Sequence, residues 1–147
     1  MNYEVVELKE KKIVGVNAET SNADPKMGEI IGGLWTDLYQ GGVIAKIKNK
    51  SSQFAIGLYS DYTENGYQVT AGCEVSEAAN PELTTKVIPA GKYAKFEIHG
   101  DMKQAVGEAW GEIWQMNLDR TYTGDFEEYV DDCMENATIY IYIAIRG

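Results

Sequence analysis

Two glutamates stand between aromatic residues near the end of this sequence, and they are the residues best placed to do chemistry. Phe126 and Tyr129 bracket them, and Tyr140 and Tyr142 follow in an alternating segment. A carboxylate among phenol rings can hold an organic cation, through charge attraction and through contact with the ring faces. The same groups could carry out acid–base chemistry on water. An exposed hairpin is the simpler interpretation, because glutamate side chains are rarely buried.

Two strands at the end of the chain must position these residues. Tyr122–Tyr129 leads into the first strand. Ala137–Arg146 predicts the second, because its isoleucines and its tyrosines alternate. The isoleucine face must lie in the core, which leaves Tyr140 and Tyr142 side by side on the opposite face.

Two helices are predicted by apolar residues that recur at three- and four-residue steps. The first starts at Asp24-Pro25, with Asp24 as N-cap, and ends at Gly41-Gly42. The second starts at Asp101, which forms a capping-box-like pattern with Gln104. Each helix therefore presents one apolar stripe to the rest of the fold.

Small residues occur where a bound molecule would need room. Three glycines interrupt the first helix, at a cost of about 1 kcal/mol each relative to alanine, and we expect them to approach a sheet or to line a cavity. The predicted strand Phe54–Tyr59 carries Ala55, Gly57 and Tyr59 on one face. Such a face leaves space for a ligand over the sheet.

The order strand–helix–strand–strand occurs twice, in about residues 1–80 and 81–147. Each helix carries a tryptophan that is followed two residues later by an acid, at Trp35 and at Trp110. Two copies of one βαββ unit pack best around a pseudo-twofold axis. The chain therefore predicts a single α+β domain over residues 1–147, with antiparallel sheets and one helix per repeat.

The groove between two such halves is a natural site for a small molecule. We expect its walls to be the sheet faces that no helix covers. Those faces would carry Tyr59 from the first half and Tyr142 from the second.

Composition narrows the classes of partner. The formal charge is −10, and the chain from Phe96 onward holds eleven acids against three bases. This balance disfavours direct contact with nucleic acid and favours the attraction of cations. Cys73 and Cys133 are the only cysteines and form no metal-binding pattern. We expect free thiols, with Cys73 buried as a small hydrophobe, and no metal or other cofactor.

No apolar signal segment follows Met1, and no apolar run reaches the roughly 18 residues that a membrane span requires. These features predict a cytoplasmic protein that has no membrane partner.

The sequence resembles the effector-binding domains of AraC-type and MerR-type multidrug regulators, which form the GyrI-like family. The resemblance covers the chain nearly end to end. It is carried by the segment Val87–Phe96, the helix of Trp110, the Phe-Glu-Glu-Tyr run at Phe126–Tyr129 and the final alternating strand. It implies a duplicated βαββ fold. Because no helix-turn-helix domain precedes the matching region, we expect a stand-alone member and not a complete DNA-binding regulator.

The resemblance also implies a set of ligand-binding residues. The pocket glutamate of the drug-binding members falls on Glu127, with Glu128 as its solvent-facing neighbour, and a tyrosine of their last strand falls on Tyr142. A middle-strand aromatic falls on Tyr59. The remaining expected walls of the pocket are Trp35, Tyr67, Trp110, Tyr122, Phe126 and Tyr129.

Three functions agree with these observations. The first is a binding module for lipophilic aromatic cations, with Glu127 as counter-ion. The second is a small hydrolase in which Glu127 acts as general base and Tyr142 or Tyr59 orients the substrate. The third is an acidic protein-interaction module, whose partner would be a regulator or a gyrase-like protein. The sequence does not separate the first two.

Overall fold

Antiparallel pairing of alternating strands builds most of this protein. The computed structural model describes residues 2–77, 81–130 and 137–146, which form one eight-stranded antiparallel sheet and three helices. The elements are β1 (Glu4–Leu8), β2 (Lys11–Thr20), α1 (Met27–Tyr39), α2 (Val43–Lys46), β3 (Lys50–Thr63), β4 (Gly66–Val75), β5 (Thr84–Ile88), β6 (Gly91–Gly100), α3 (Met102–Gln115), β7 (Asp125–Tyr129) and β8 (Ala137–Ile145).

The strand order is symmetric about the centre of the sheet. The order is β1-β6-β8-β7-β3-β4-β2-β5, so β6, α3, β7 and β8 repeat the arrangement of β2, α1, β3 and β4. The predicted duplication of a βαββ unit is thereby confirmed. Each unit also has one further strand before it. These two strands are exchanged, because β1 pairs with β6 of the second unit and β5 pairs with β2 of the first.

The two faces of the sheet have separate cores. On one face α1 packs over β2 and β4, while α3 packs over β6 and β8. The isoleucine face of the last strand lies in a core, as predicted, with Ile139, Ile141 and Ile143 fully buried, and α3 packs over it. Burial of each such side chain contributes about 1.5–3 kcal/mol.

The other face closes on itself. Its core includes Ile88 from one edge strand, with Val6 and Leu8 from the opposite edge packed against the same cluster. Contacts between both edges require the sheet to curl. The curled sheet therefore encloses one core and carries the two long helices, α1 and α3, on its other side.

The two long helices begin differently. Gln104 N donates to Asp101 Oδ1 over 2.9 Å, which confirms the predicted cap of α3. The predicted start of α1 was two residues too early, because the N-cap is Lys26. Asp24 Oδ1 accepts from Lys26 N and the Asp24 carbonyl accepts from Met27 N, so Asp24-Pro25 forms a turn that precedes the helix.

Cys73 is fully buried, as expected for a small hydrophobe, and burial raises the pKa of its thiol. The interpretation of Cys133 concerns a residue outside the described ranges. Within those ranges, no helix is both long and apolar enough to cross a membrane.

Candidate ligand-binding site

A cleft opens on the helix-bearing face of the sheet, between α1 and α3. Its volume is about 1900 Å³ and strands β3, β4 and β7 form its floor. Gly28 and Gly32 of α1 and Gly107 of α3 line it, and a Cβ at any of the three would meet nothing within 4 Å. The helix glycines therefore widen the cleft. The expectation that its walls would be helix-free sheet faces was wrong.

Glu127 lies at the floor of the cleft, with only 2% of its surface exposed. Three neutral donors hold its carboxylate. Trp110 Nε1 donates to Oε2 over 2.6 Å, and Tyr59 Oη donates to the same oxygen over 3.0 Å. Tyr129 Oη donates to Oε1 over 2.5 Å. Among the described residues, no Lys or Arg forms an ion pair with this carboxylate.

Burial dominates the electrostatics of this group. The pKa of Glu127 is raised by desolvation, against which the hydrogen bonds from Tyr129, Trp110 and Tyr59 act. The pKa values of Tyr59 and Tyr129 are raised well above the ordinary value, first by burial and then by the Glu127 charge. Both phenols therefore remain protonated donors at neutral pH.

The site lies on the pseudo-twofold axis. Gly57 is the residue of β3 that pairs directly with Glu127. The strand bounds and pairing registers of the two halves superpose Gly57 on Glu127 and Tyr59 on Tyr129. The same superposition exchanges the ring contact of Trp35 with Tyr129 and the ring contact of Trp110 with Tyr59. The two tyrosines that donate to opposite oxygens of the carboxylate are therefore equivalent residues of the repeat. Only one of the two equivalent axial positions carries an acid.

Aromatic rings pack on both sides of this carboxylate. Tyr59 meets the rings of Trp110 and Tyr67 edge-on, with centroids 5.3 and 5.7 Å away. On the other side Trp35 meets Tyr129 edge-on at 5.1 Å. These contacts fix the orientation of the donors and leave other ring faces available to a ligand.

A second buried acid contacts two of the residues that line the cleft. Asp125 is fully buried and accepts hydrogen bonds from Tyr62 Oη over 2.6 Å, Arg120 Nη2 over 2.5 Å and Ala144 N over 2.8 Å. The Arg120 guanidinium lies 4.4 Å from the centre of the Tyr122 ring. Sequence reasoning missed Asp125, Arg120 and Tyr62. Alternation along β7 could have indicated Asp125, because it shares a face with Glu127.

The cleft brings together seven of the nine residues expected at the site. Those seven are Trp35, Tyr59, Tyr67, Trp110, Tyr122, Glu127 and Tyr129.

Phe126 and Tyr142 lie on the other face of the sheet, which corrects their expected placement. They pair across β7 and β8, and their rings stack with centroids 4.4 Å apart inside the curled sheet. Glu127 instead pairs with Ile141. Because successive residues of a strand face opposite ways, a phenol at position 142 cannot share a wall with Glu127. Glu128, on the same face as Tyr142, is partly buried, and burial raises its pKa.

The site can hold a cation whose positive charge is surrounded by the apolar groups of the ligand. A carboxylate offers about four lone-pair positions, and neutral donors already take three of those on Glu127. The field of the charge still acts on a cation in the cleft, and it acts more strongly once a ligand displaces water from the cleft. Ring faces supply the remaining contact area.

Known proteins similar to this chain match it over nearly its whole length. A family model of integron-associated effector binding proteins matches residues 4–145. The Bacillus subtilis (strain 168) protein YobU, whose name provisionally describes a transcriptional regulator, is 31% identical over 154 residues, covering 97% of this chain and 96% of YobU.

Two solved structures share the fold. An integron cassette protein from the mobile metagenome of Vibrio cholerae has a TM-score of 0.79 and 29% identity, over 98% of this chain and 95% of that one. The structure of SAV2435 bound to tetraphenylphosphonium has a TM-score of 0.84 and 22% identity, over 100% of this chain and 95% of that one.

Proposed function

The chain belongs to the integron-associated effector binding proteins, as its resemblance to regulator effector domains predicted, and we propose that its effectors are lipophilic organic cations. One observation carries this proposal: Glu127 is a buried carboxylate that only neutral donors contact among the described residues. A buried charge without a counter-ion is costly. A bound cation would supply that counter-ion.

The aromatic walls favour a cation of large apolar surface. Each good contact between a desolvated cation and a ring face contributes on the order of 2 kcal/mol. Burial of the ligand's own rings adds about 25 cal/mol per Å². Neither contribution demands directional hydrogen bonds, so cations of similar size and different skeleton should bind with comparable affinity.

The hydrogen bonds to Glu127 favour quaternary cations over primary amines. Tyr59, Trp110 and Tyr129 already occupy most of the lone-pair positions of the carboxylate. A primary ammonium needs acceptors for its donors once it leaves water, whereas a quaternary ammonium or phosphonium has no such donors. Support comes from SAV2435, which shares this fold and binds tetraphenylphosphonium.

The hydrolase alternative needs a carboxylate that can accept a proton from water. Glu127 has a raised pKa and neighbouring phenols, as such a base would require. However, Tyr59, Trp110 and Tyr129 all donate to this carboxylate, so only about one lone-pair position remains to accept a proton from water. The geometry suits the holding of a charge better than the transfer of a proton.

The test is a titration with tetraphenylphosphonium, followed by tryptophan fluorescence. All three tryptophans of the sequence, Trp35, Trp110 and Trp114, line the cleft and would report binding. Tetraphenylborate has the same shape and the opposite charge, so it separates charge recognition from apolar burial. We expect saturable binding of the phosphonium and at least about tenfold weaker binding of the borate.

Two substitutions locate the site. Glu127→Gln should weaken phosphonium binding by about tenfold or more, because it removes the buried charge partner. Glu128→Gln is the matched control, since this neighbour lies on the other face of the sheet. Equal affinity for the borate, or undiminished binding by Glu127→Gln, would refute the proposal.

A further inference from the structure

Asp125 repeats the chemistry of Glu127 at the neighbouring position of the same strand face. It is fully buried, and the Tyr62 hydroxyl donates to its Oδ2 over 2.6 Å. The rings of Tyr62 and Tyr122 meet edge-on at 5.7 Å beside it and line the cleft. This group is thus a second carboxylate with a phenol donor and aromatic walls.

The difference between the two acids is that Asp125 already has a cation. Arg120 forms an ion pair with its Oδ2 and lies 4.4 Å from the centre of the Tyr122 ring. The guanidinium therefore makes the two contacts, one with a carboxylate and one with a ring face, that an organic cation would make at Glu127. Arg120 itself lines the cleft.

The fit of Arg120 is incomplete in one respect. Its Nε is buried and has no hydrogen-bond partner among the described residues. A buried donor without a partner opposes stability, so hydrogen bonding alone does not account for this arginine. Because Arg120 lies between Asp125 and the cleft, it also influences which ligand charges the cleft can accept.

We propose that Arg120 is a resident cation that fills a second cation site in the cleft and so restricts ligands to one positive charge, at Glu127. The Cα atoms of Asp125 and Glu127 lie about 7 Å apart along the strand, which sets the scale of the distance between the two acids. Without the arginine, a ligand whose two charges lie that far apart could contact both acids. This inference rests on the proposed function and identifies the residue that sets the charge of the preferred ligand.

The test compares a matched pair of ligands. The monocation is benzyltrimethylammonium, and the dication is para-xylylene-bis(trimethylammonium), in which a benzene ring holds two quaternary nitrogens at about that separation. For the unmodified protein we expect the dication to bind at most about threefold more tightly than the monocation. For Arg120→Ala we expect the dication to be preferred by about tenfold or more.

A second variant isolates the charge of Asp125. In Arg120→Ala with Asp125→Asn the added space remains and the carboxylate is gone, so the preference should return to that of the unmodified protein. Arg120→Gln retains a hydrogen-bond donor for Asp125 without a charge, and it should show the same gain as Arg120→Ala if the latter does not fold. Thermal unfolding of each variant monitors the fold.

The outcomes separate the two proposals. If the unmodified protein binds neither tetraphenylphosphonium nor benzyltrimethylammonium, the proposed function fails. If it binds a monocation but already prefers the dication tenfold, the role of Arg120 is refuted without any variant. A folded Arg120→Ala or Arg120→Gln protein with no gain for the dication also refutes it, as does a gain that survives Asp125→Asn.

Discussion

Gly57 lies directly opposite Glu127 across the pair of β3 and β7, and it is the equivalent residue of the other repeat. A Cβ at Gly57 would lie 3.0 Å from Trp35 Cζ2 and 3.2 Å from Glu127 Oε1. Because Gly57 has no side chain, the indole ring of Trp35 and the carboxylate of Glu127 can both lie close to its Cα atom. A glycine within a strand otherwise weakens it, so this one is explained by the site.

Gly57→Ala should disturb the site. Because both nearest atoms belong to side chains, we expect them to shift, with a loss of about 1 kcal/mol in the free energy of unfolding and weaker binding of tetraphenylphosphonium. Chemical denaturation and the fluorescence titration measure the two effects.

The control for this substitution is Gly33→Ala. Gly33 is exposed on α1, and a Cβ there would meet nothing within 4 Å. Removal of a helix glycine should raise the free energy of unfolding by about 0.5–1 kcal/mol and leave binding unchanged. If the two alanines had the same effect, the crowding at Gly57 would not be the cause.

Cation binding should depend on pH through Glu127. Burial raises the pKa of this carboxyl above the ordinary 4.5. As the pH falls through that raised pKa, the carboxyl becomes neutral, and affinity for a cation should decrease by about tenfold per further pH unit. Tetraphenylphosphonium does not titrate, so a pH series of its dissociation constant measures the group directly. Glu127→Gln should abolish the dependence; a dependence that persists would assign it to another residue.

The two equivalent tyrosines should differ in their effect on this pKa. Tyr129 is the donor to Oε1, whereas Tyr59 shares Oε2 with Trp110. Tyr129→Phe therefore leaves one oxygen without its donor, and the pH midpoint of binding should rise by about one unit. Tyr59→Phe should produce a smaller rise. The reverse order would show that Trp110 does not compensate for Tyr59.

The ionised form of Glu127 should favour cation binding but lower the free energy of unfolding. Between the ordinary and the raised pKa the folded protein holds a proton that the unfolded chain has lost, so the stability contributed by Glu127 falls as the pH rises through this window. At neutral pH we therefore expect Glu127→Gln to be at least as stable as the unmodified protein, although it binds cations poorly.

Glu127→Ala gives the contrast. It removes the acceptor and leaves three donors, one buried and two partly buried, without it, which should cost about 2 kcal/mol or more. Thermal and denaturant unfolding at neutral pH distinguish the two variants. If glutamine were as destabilising as alanine, Glu127 would stabilise the fold as an anion, contrary to the direction of its pKa.

Sequence periodicity predicted the fold because each periodic segment buries one face. The alternation of Ile139, Ile141 and Ile143, the other alternating segments, and the two stripes around Trp35 and Trp110 together predicted two βαββ units. Resemblance then indicated Glu127. What remained unpredictable was which strand face meets which helix, because that choice depends on strand pairing.

Pairing explains the particular failures. Position 142 was assigned to the pocket from the resemblance, but the register pairs Phe126 with Tyr142 and Glu127 with Ile141. Arg120 lies in the loop before β7, and nothing in the sequence pairs it with Asp125. The exchange of β1 and β5 between the halves likewise has no local signal, because it is a contact between distant segments.

The symmetric strand order affects how many charged side chains can lie near the pseudo-twofold axis. A complex of two identical halves places every residue near its axis twice, so an axial carboxylate would face its own copy and the two anions would repel each other. An axial glycine would give no charge at all. Because both halves belong to one chain, Glu127 and Gly57 can differ. A covalently linked duplicate can therefore carry an odd number of charges at its centre, which a dimer of identical halves cannot.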